Sequence, residues 1–403
     1  MQQAQAFKQE LDRILSYWST YMPDELHGGF YGQITDENQV VAQAPKGSVL
    51  NARILWSFSA AYRHEPRPES LALATRAFEY IEQHFLDQEH GGVFWSVDYL
   101  GQPLDTKKQI YALAFTLYGM AEYYAASGNE RALTHAQALY HSIETHSFDQ
   151  EHGGYLEALA RNWAPLADLR LSDKDANEKK TMNTHLHVLE AYTNLYRYWP
   201  DAHLQTQTRK LLAVFVDHLI NPATHHLHLF LDEQWQVKST VVSFGHDIEA
   251  SWLLLEAAEV LGDEPLIHRF RQVAVDMATA AARGLDATGG LNYEFDPALN
   301  HWIREKHWWV QAEAMVGFLN AYQVSGHRHF YDLFLGVWDF TEQNILDYKS
   351  GEWLWGVNED LAPMPGEDKA GFWKCPYHNS RACLEIMARL PKRAVQPPVS
   401  VVR

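Results

Sequence analysis

The chain has 403 residues, 46% hydrophobic and 13% aromatic, with 33 Lys and Arg against 51 Asp and Glu for a formal charge of −18. That much apolar material supplies a large core, and the acidic balance argues against non-specific nucleic-acid binding or docking on anionic membranes. The 14 Trp and 20 Tyr exceed what core packing demands and suit stacking on carbohydrate rings.

From the N-terminus, Met1 to Tyr17 is polar and amphipathic, so it reads as neither a signal peptide nor a membrane span. Turn segments then recur at Gly28–Gly29–Phe30–Tyr31, Gly91–Gly92–Val93–Phe94–Trp95, Gly153–Gly154–Tyr155–Leu156, His225 to Phe230, Gly289–Gly290–Leu291–Asn292–Tyr293 and Ser350 to Trp355, mostly 62 to 64 residues apart. A fixed period means one supersecondary unit reused. Before each turn lies an amphipathic helical pattern, at 4–20, 69–86, 130–146, 201–219, 263–283 and 327–346. After each lies a more apolar one, at 47–62, 107–125, 180–198, 246–261, 308–323 and 376–390. Six amphipathic helices outside six apolar ones predict an all-α fold, an (α/α)6 barrel with short hairpins or loops at one end. An open solenoid would need polar capping repeats, and the terminal inner helices are no more polar than the middle ones. Residues 1–390 are expected to form a single domain, with a frayed tail over 391–403. Cys375 and Cys383 share a segment that reads as helical and provide no disulfide framework, so a reduced cytoplasmic setting is expected, with the chain a monomer.

In such a barrel the first turns of all six inner helices lie at one end, and polar groups gather there. The first carries Arg53 among Leu50, Ile54, Leu55 and Trp56, where a guanidinium needs an anionic or oxygen-rich partner. The second offers Lys107, Gln109 and Tyr111. The third reads Asn183–Thr184–His185–Leu186–His187, in which Asn183 and His187 share a helical face while His185 points elsewhere. Were this stretch a strand, His185 and His187 would share a face as metal ligands, but the helical context disfavours that reading. In the fourth, Ser243 to Trp252, His246 and Glu249 are three apart, so the carboxylate is placed to orient the imidazole on an otherwise apolar helix. The fifth begins His307–Trp308–Trp309, with Glu313 one turn on. The sixth, Phe372 to Arg381, puts Pro376 at the first helical position and His378 in the first turn. His90, His152, His225, His226 and His228 sit in turn segments, where polar turn chemistry accounts for them. No zinc-hydrolase, Walker or dinucleotide motif appears.

Two first-turn histidines without an evident metal or nucleophile suit proton transfer, since rings with a pKa near 6.5 can be neutral or protonated at neutral pH. On opposite faces of an enediolate, one removes the proton alpha to a carbonyl and the other returns it, inverting the carbon. Arg53, Asn183 and His187 would hold the developing oxyanion.

The strings Asn183 to His187, Ser243 to Trp252 and Trp373 to Arg381 closely resemble those of cellobiose 2-epimerases, within the N-acylglucosamine 2-epimerase superfamily, and the similarity runs from the Gly28–Gly29 turn to the last inner helix. The resemblance implies an (α/α)6 barrel, with His246 and His378 as the acid/base pair and Arg53, Asn183 and His187 on the reacting sugar. It further implies that Glu249 supports His246, that Tyr111 belongs to the active site, that Trp309 and Trp373 stack on sugar rings, and that Asp175 lies near the distal sugar. The implied reaction is reversible C2 epimerisation of the reducing-end glucose of cellobiose or related β-1,4 disaccharides, with no cofactor and no metal. Two rivals stand beside it: an aldose–ketose isomerase acting on a monosaccharide such as mannose, and an inverting glycoside hydrolase using Glu249 and Glu313, which would need the carboxyl groups about 6.5–9.5 Å apart. A non-catalytic carbohydrate-binding protein is the remaining alternative.

Overall fold

A computed structural model describes residues 2–390, so the 391–403 tail lies outside the described residues. Twelve helices alternate along them. The outer set is α1 (Gln2–Tyr21), α3 (Pro68–Tyr80), α5 (Glu130–His146), α7 (Ala202–Val214), α9 (Glu264–Ala281) and α11 (Arg328–Asn344). The inner set is α2 (Ser48–His64), α4 (Ile110–Ser127), α6 (Met182–Tyr196), α8 (Phe244–Leu261), α10 (Trp308–Ser325) and α12 (Tyr377–Arg389). The architecture is the (α/α)6 barrel. Inner helices are buried nearly all round, because each packs on two inner neighbours and on an outer helix, whereas outer helices bury one stripe only. Close approach between inner helices is built in: a Cβ on Gly119 of α4 would meet the Ala52 carbonyl of α2 at 2.7 Å.

At one end of the barrel a two-residue strand leads into each inner helix from α2 to α10 and pairs antiparallel with the next repeat's turn. Lys46–Gly47 pairs with Ser96–Val97, Lys108–Gln109 with Ala158–Leu159, Lys180–Thr181 with Phe230–Leu231, Val242–Ser243 with Glu294–Phe295, and Lys306–His307 with Gly356–Val357. The Ile34–Ala370 bridge joins the last repeat to the first and closes the ring. Trp18 donating to Glu352, Trp353 donating to Glu10, and Arg13 donating to the Asp347 carbonyl at 3.0 Å add to that closure.

The strand lysines also act as staples. Lys46, Lys108, Lys180 and Lys306 are buried and reach back 2.8–2.9 Å to Asp24, Asp87, Asp149 and Asp286 in the preceding turns, and Lys369 reaches Asp347 at 2.6 Å. Each aspartate accepts backbone N–H groups with its other oxygen, as Asp24 does from Leu26 and His27, so one carboxylate folds the turn and anchors the inner helix behind it. The fourth repeat departs from this. Val242 and Asn221 stand in the lysine and aspartate places, and His226 instead meets Asp247 of α8 at 2.7 Å, with Leu227 N donating to the same carboxylate.

Two sequence expectations shift slightly. Cys375 precedes α12 and only Cys383 lies in it, both thiols free and buried, and Pro376 caps α12 without being its first residue. Among the described residues no helix is long and apolar enough to cross a membrane.

Candidate active site

The strand-bearing end opens into a cavity of about 450 Å³. The ten residues to which the resemblance assigns roles, Arg53, Tyr111, Asp175, Asn183, His187, His246, Glu249, Trp309, Trp373 and His378, lie on its wall; Lys107, Gln109 and Glu313 do not. A second space of about 450 Å³, bounded by Glu157, Arg170 and Glu294, continues it past Asp175, Asn183 and Tyr293. The loop carrying Asp175 is held shut on itself, since Asp175 Oδ2 accepts from Ser172 N and Oγ at 2.9 Å. Gln109 Nε2 pins the same loop through the Leu169 and Arg170 carbonyls.

Three histidines present the same polarity to this cavity, each with Nδ1 occupied and Nε2 without a hydrogen-bond partner among the described residues. His187 Nδ1 donates to Glu190 Oε2 at 2.9 Å, His246 Nδ1 meets Ser243 Oγ at 2.8 Å, and His378 Nδ1 donates to Glu313 Oε1 at 2.7 Å. Fixing Nδ1 fixes which nitrogen is left for chemistry. Burial pushes the His246 imidazole down to about 3; burial, with the Arg53 and Arg381 charges, pushes His378 well below the ordinary histidine range despite its carboxylate contact. Both shifts favour the neutral, basic form of the ring. Trp309 packs on both, its ring 4.8 Å from His246 and 5.7 Å from His378.

Glu249 does not support His246. The i,i+3 spacing that brings Glu190 onto His187 fails here because Ser243, at the N-cap of α8, turns its hydroxyl to His246, while Arg381 Nη2 draws Glu249 away at 2.7 Å. Glu249 Oε1 faces His378 instead, 3.9 Å from Nδ1. Arg381 Nη2 also donates to Glu313 at 2.5 Å, and its Nη1 donates to Glu190, which accepts from Tyr377 as well. Within this buried cluster Glu249 reaches the cavity wall, while Glu190, Glu313, Tyr377 and Arg381 do not line it. The sequence reading left out Glu190, Tyr377 and Arg381 in it, although His187 and Glu190 show the same three-residue spacing that drew attention to His246.

Arg53 has no carboxylate partner among the described residues. Its Nη2 donates to Tyr111 Oη at 2.7 Å and Nη1 lies 3.6 Å from Cys375 Sγ, with the guanidinium 4.1 Å above Phe115 and Nε unpaired. A buried cation held by aromatic faces and a phenol retains capacity for an oxyanion. Asn183 Oδ1 is likewise unpaired on the same wall. His185 points away from His187: its Nδ1 meets the Thr181 carbonyl at 2.6 Å and its Nε2 accepts from Tyr155 N, which removes the two-histidine metal reading. Among the described residues one trio has ligand atoms near enough to share a metal, Glu249, Glu313 and His378 within 4.8 Å, and Arg381 already bridges its carboxylates. That closeness also removes Glu249 and Glu313 as an inverting hydrolase pair.

The chain matches the N-acylglucosamine 2-epimerase family over residues 29–382. It belongs to that family of carbohydrate epimerases. It is 50% identical over 380 residues to a cellobiose 2-epimerase of Bacteroides fragilis, covering 94% of this chain and 97% of the relative. The solved cellobiose 2-epimerase of Bacillus thermoamylovorans superposes with a TM-score of 0.93 at 37% identity, covering 97% of this chain and all of the other. A D-mannose isomerase of Marinomonas mediterranea is more distant, 24% identical over 396 residues, covering 93% of this chain and 94% of the relative.

Proposed function

We propose that the protein catalyses reversible C2 epimerisation of the reducing-end glucose of cellobiose, giving 4-O-glucosylmannose, and acts on related β-1,4 disaccharides such as lactose and mannobiose. The observation that carries this reading is the pair His246 and His378: two imidazoles from different repeats, each with Nδ1 fixed and Nε2 without a partner among the described residues, flanking one cavity that holds a guanidinium with no carboxylate partner there. The similarity to cellobiose 2-epimerases supports the disaccharide, as does the extension of the cavity past Asp175.

The sugar opens to its aldehyde, and Nε2 of one histidine takes the C2 proton as a general base. The enediolate oxygen is held by Arg53, with Asn183 and His187 beside it, and the other histidine delivers a proton to the opposite face of C2. Glu313 at Nδ1 stabilises positive charge on His378 during this step, an aid His246 lacks. Trp309 and Trp373 stack on the sugar rings, Tyr111 orients Arg53, and Asp175 lies toward the distal sugar. No cofactor or metal takes part, and the free, buried cysteines suit a cytoplasmic setting. Early products from cellobiose test the reading: a mannose-containing disaccharide supports it, a ketose as main early product favours the isomerase reaction, and free glucose favours hydrolysis.

A further inference from the structure

Arg381 is outnumbered. Its terminal nitrogens meet Glu190, Glu249 and Glu313 inside the barrel, where all four side chains are at most 4% exposed. The other nearby cation, Arg53 of α2, is turned to Tyr111 of α4 and Cys375, and burial pushes the His187 and His378 imidazoles toward the neutral form. With all three carboxylates ionised, the cluster would carry a net negative charge that one guanidinium does not offset at such buried positions. Two carboxylates sharing a single nitrogen cannot both ionise cheaply, and one proton then belongs to the pair.

Hydrogen bonding decides where that proton sits. Glu190 of α6 accepts from His187, Tyr377 and Arg381, and it stays ionised with a pKa of about 2, the guanidinium and His187 overcoming burial. Glu313 of α10 accepts from His378 Nδ1, from Arg381 and from Trp252 Nε1 at 3.1 Å. Among the described residues Glu249 of α8 accepts from Arg381 alone, through Oε1, with no hydrogen bond to its Oε2. Fewer donors to the charged form leave it the easiest of the three to neutralise. Burial and the Glu313 charge push Glu249 in the same direction, well above the usual carboxylate range. Glu249 lies on the cavity wall, and Glu313 does not.

We propose that Glu249 stands in the resting protein as a neutral carboxylic acid, with Glu313 ionised, and presents its O–H to the reacting end of the sugar as a hydrogen-bond donor to an oxygen that gains negative charge. A carboxyl kept neutral near pH 7 gives an oxyanion site a donor without adding a negative charge that would oppose the enediolate. The identity of the ligand rests on the epimerase reading; the protonation state does not.

Infrared difference spectroscopy of the sugar-free protein at neutral pH, wild type minus Glu249→Gln, tests the state directly. A carboxylic-acid carbonyl band lost in the variant is the expected result, and a carboxylate band in its place overturns the proposal. For the donor role, Glu249→Gln retains an N–H donor and turns over within about tenfold of wild type, while Glu249→Ala falls about a hundred- to a thousandfold, the usual loss for one oxyanion donor. A folded Gln variant as inactive as the Ala variant overturns the donor role. The infrared result needs no sugar, so it stands apart from the identity of the substrate.

Discussion

His246 and His378 occupy matching first turns of α8 and α12, pack on the same tryptophan and face the same cavity, yet their surroundings differ. His246 leans on a serine hydroxyl and, among the described residues, has no carboxylate at hydrogen-bond distance; His378 leans on Glu313, with Glu249 and Arg381 behind it. A hydroxyl fixes a ring's orientation without favouring its charge. A carboxylate does both. Burial lowers both rings, but they are unlike as imidazolium ions, and the fold supplies the asymmetry that a two-sided proton transfer needs.

The largest effect should come from removing either ring. His246→Ala and His378→Ala are each expected to lower turnover by roughly a thousandfold or more, within the upper range for general acid–base groups, while binding of the disaccharide stays measurable by calorimetry. Substantial turnover in either variant breaks the two-base account. Next come the supports. Glu313→Gln removes a charge-assisted hydrogen bond and should cost about ten- to a hundredfold in kcat, whereas Ser243→Ala removes a neutral one and should cost about two- to tenfold. Equal losses would erase the distinction between the two rings.

The smallest effect is on stability. His246 and His185, with folded values near 3 and 4, and His187 and His378, shifted the same way, all hold fewer protons folded than unfolded below a pH of about 6.5. Their contribution is full above that pH and is lost as the pH falls toward the folded values. Glu157, Glu256 and Glu294, each raised to about 7 by burial, work oppositely, as does Glu249, adding stability that is lost as the pH rises toward their folded values. The His246 part is therefore read from its own variant: between pH 6.5 and 4 the melting temperature of His246→Gln should fall less, or rise more, than that of wild type, and an unchanged slope would contradict the burial assigned to that ring.

The barrel was legible because its period is written in glycines and in the alternation of amphipathic and apolar helices, which twelve observed helices follow to within a few residues. The cavity wall was legible for a related reason: polar residues in the first turn of an apolar helix have few places to face. The partners of those residues were not. His187–Glu190 and His246–Glu249 have the same spacing, and only the first is a contact, because Arg381 and Ser243 compete for the second pair from positions that no local pattern links. The lysine staples escaped notice for the same reason, each reaching a turn about twenty to thirty residues upstream.

Proton NMR of cellobiose incubated with the protein in deuterated water tests the central claim most directly. The account predicts a mannose-containing epimer with deuterium at C2 of the reducing residue and no exchange in the distal glucose, because the ring that returns the proton equilibrates with solvent. An epimer that keeps its original hydrogen at C2 would contradict it.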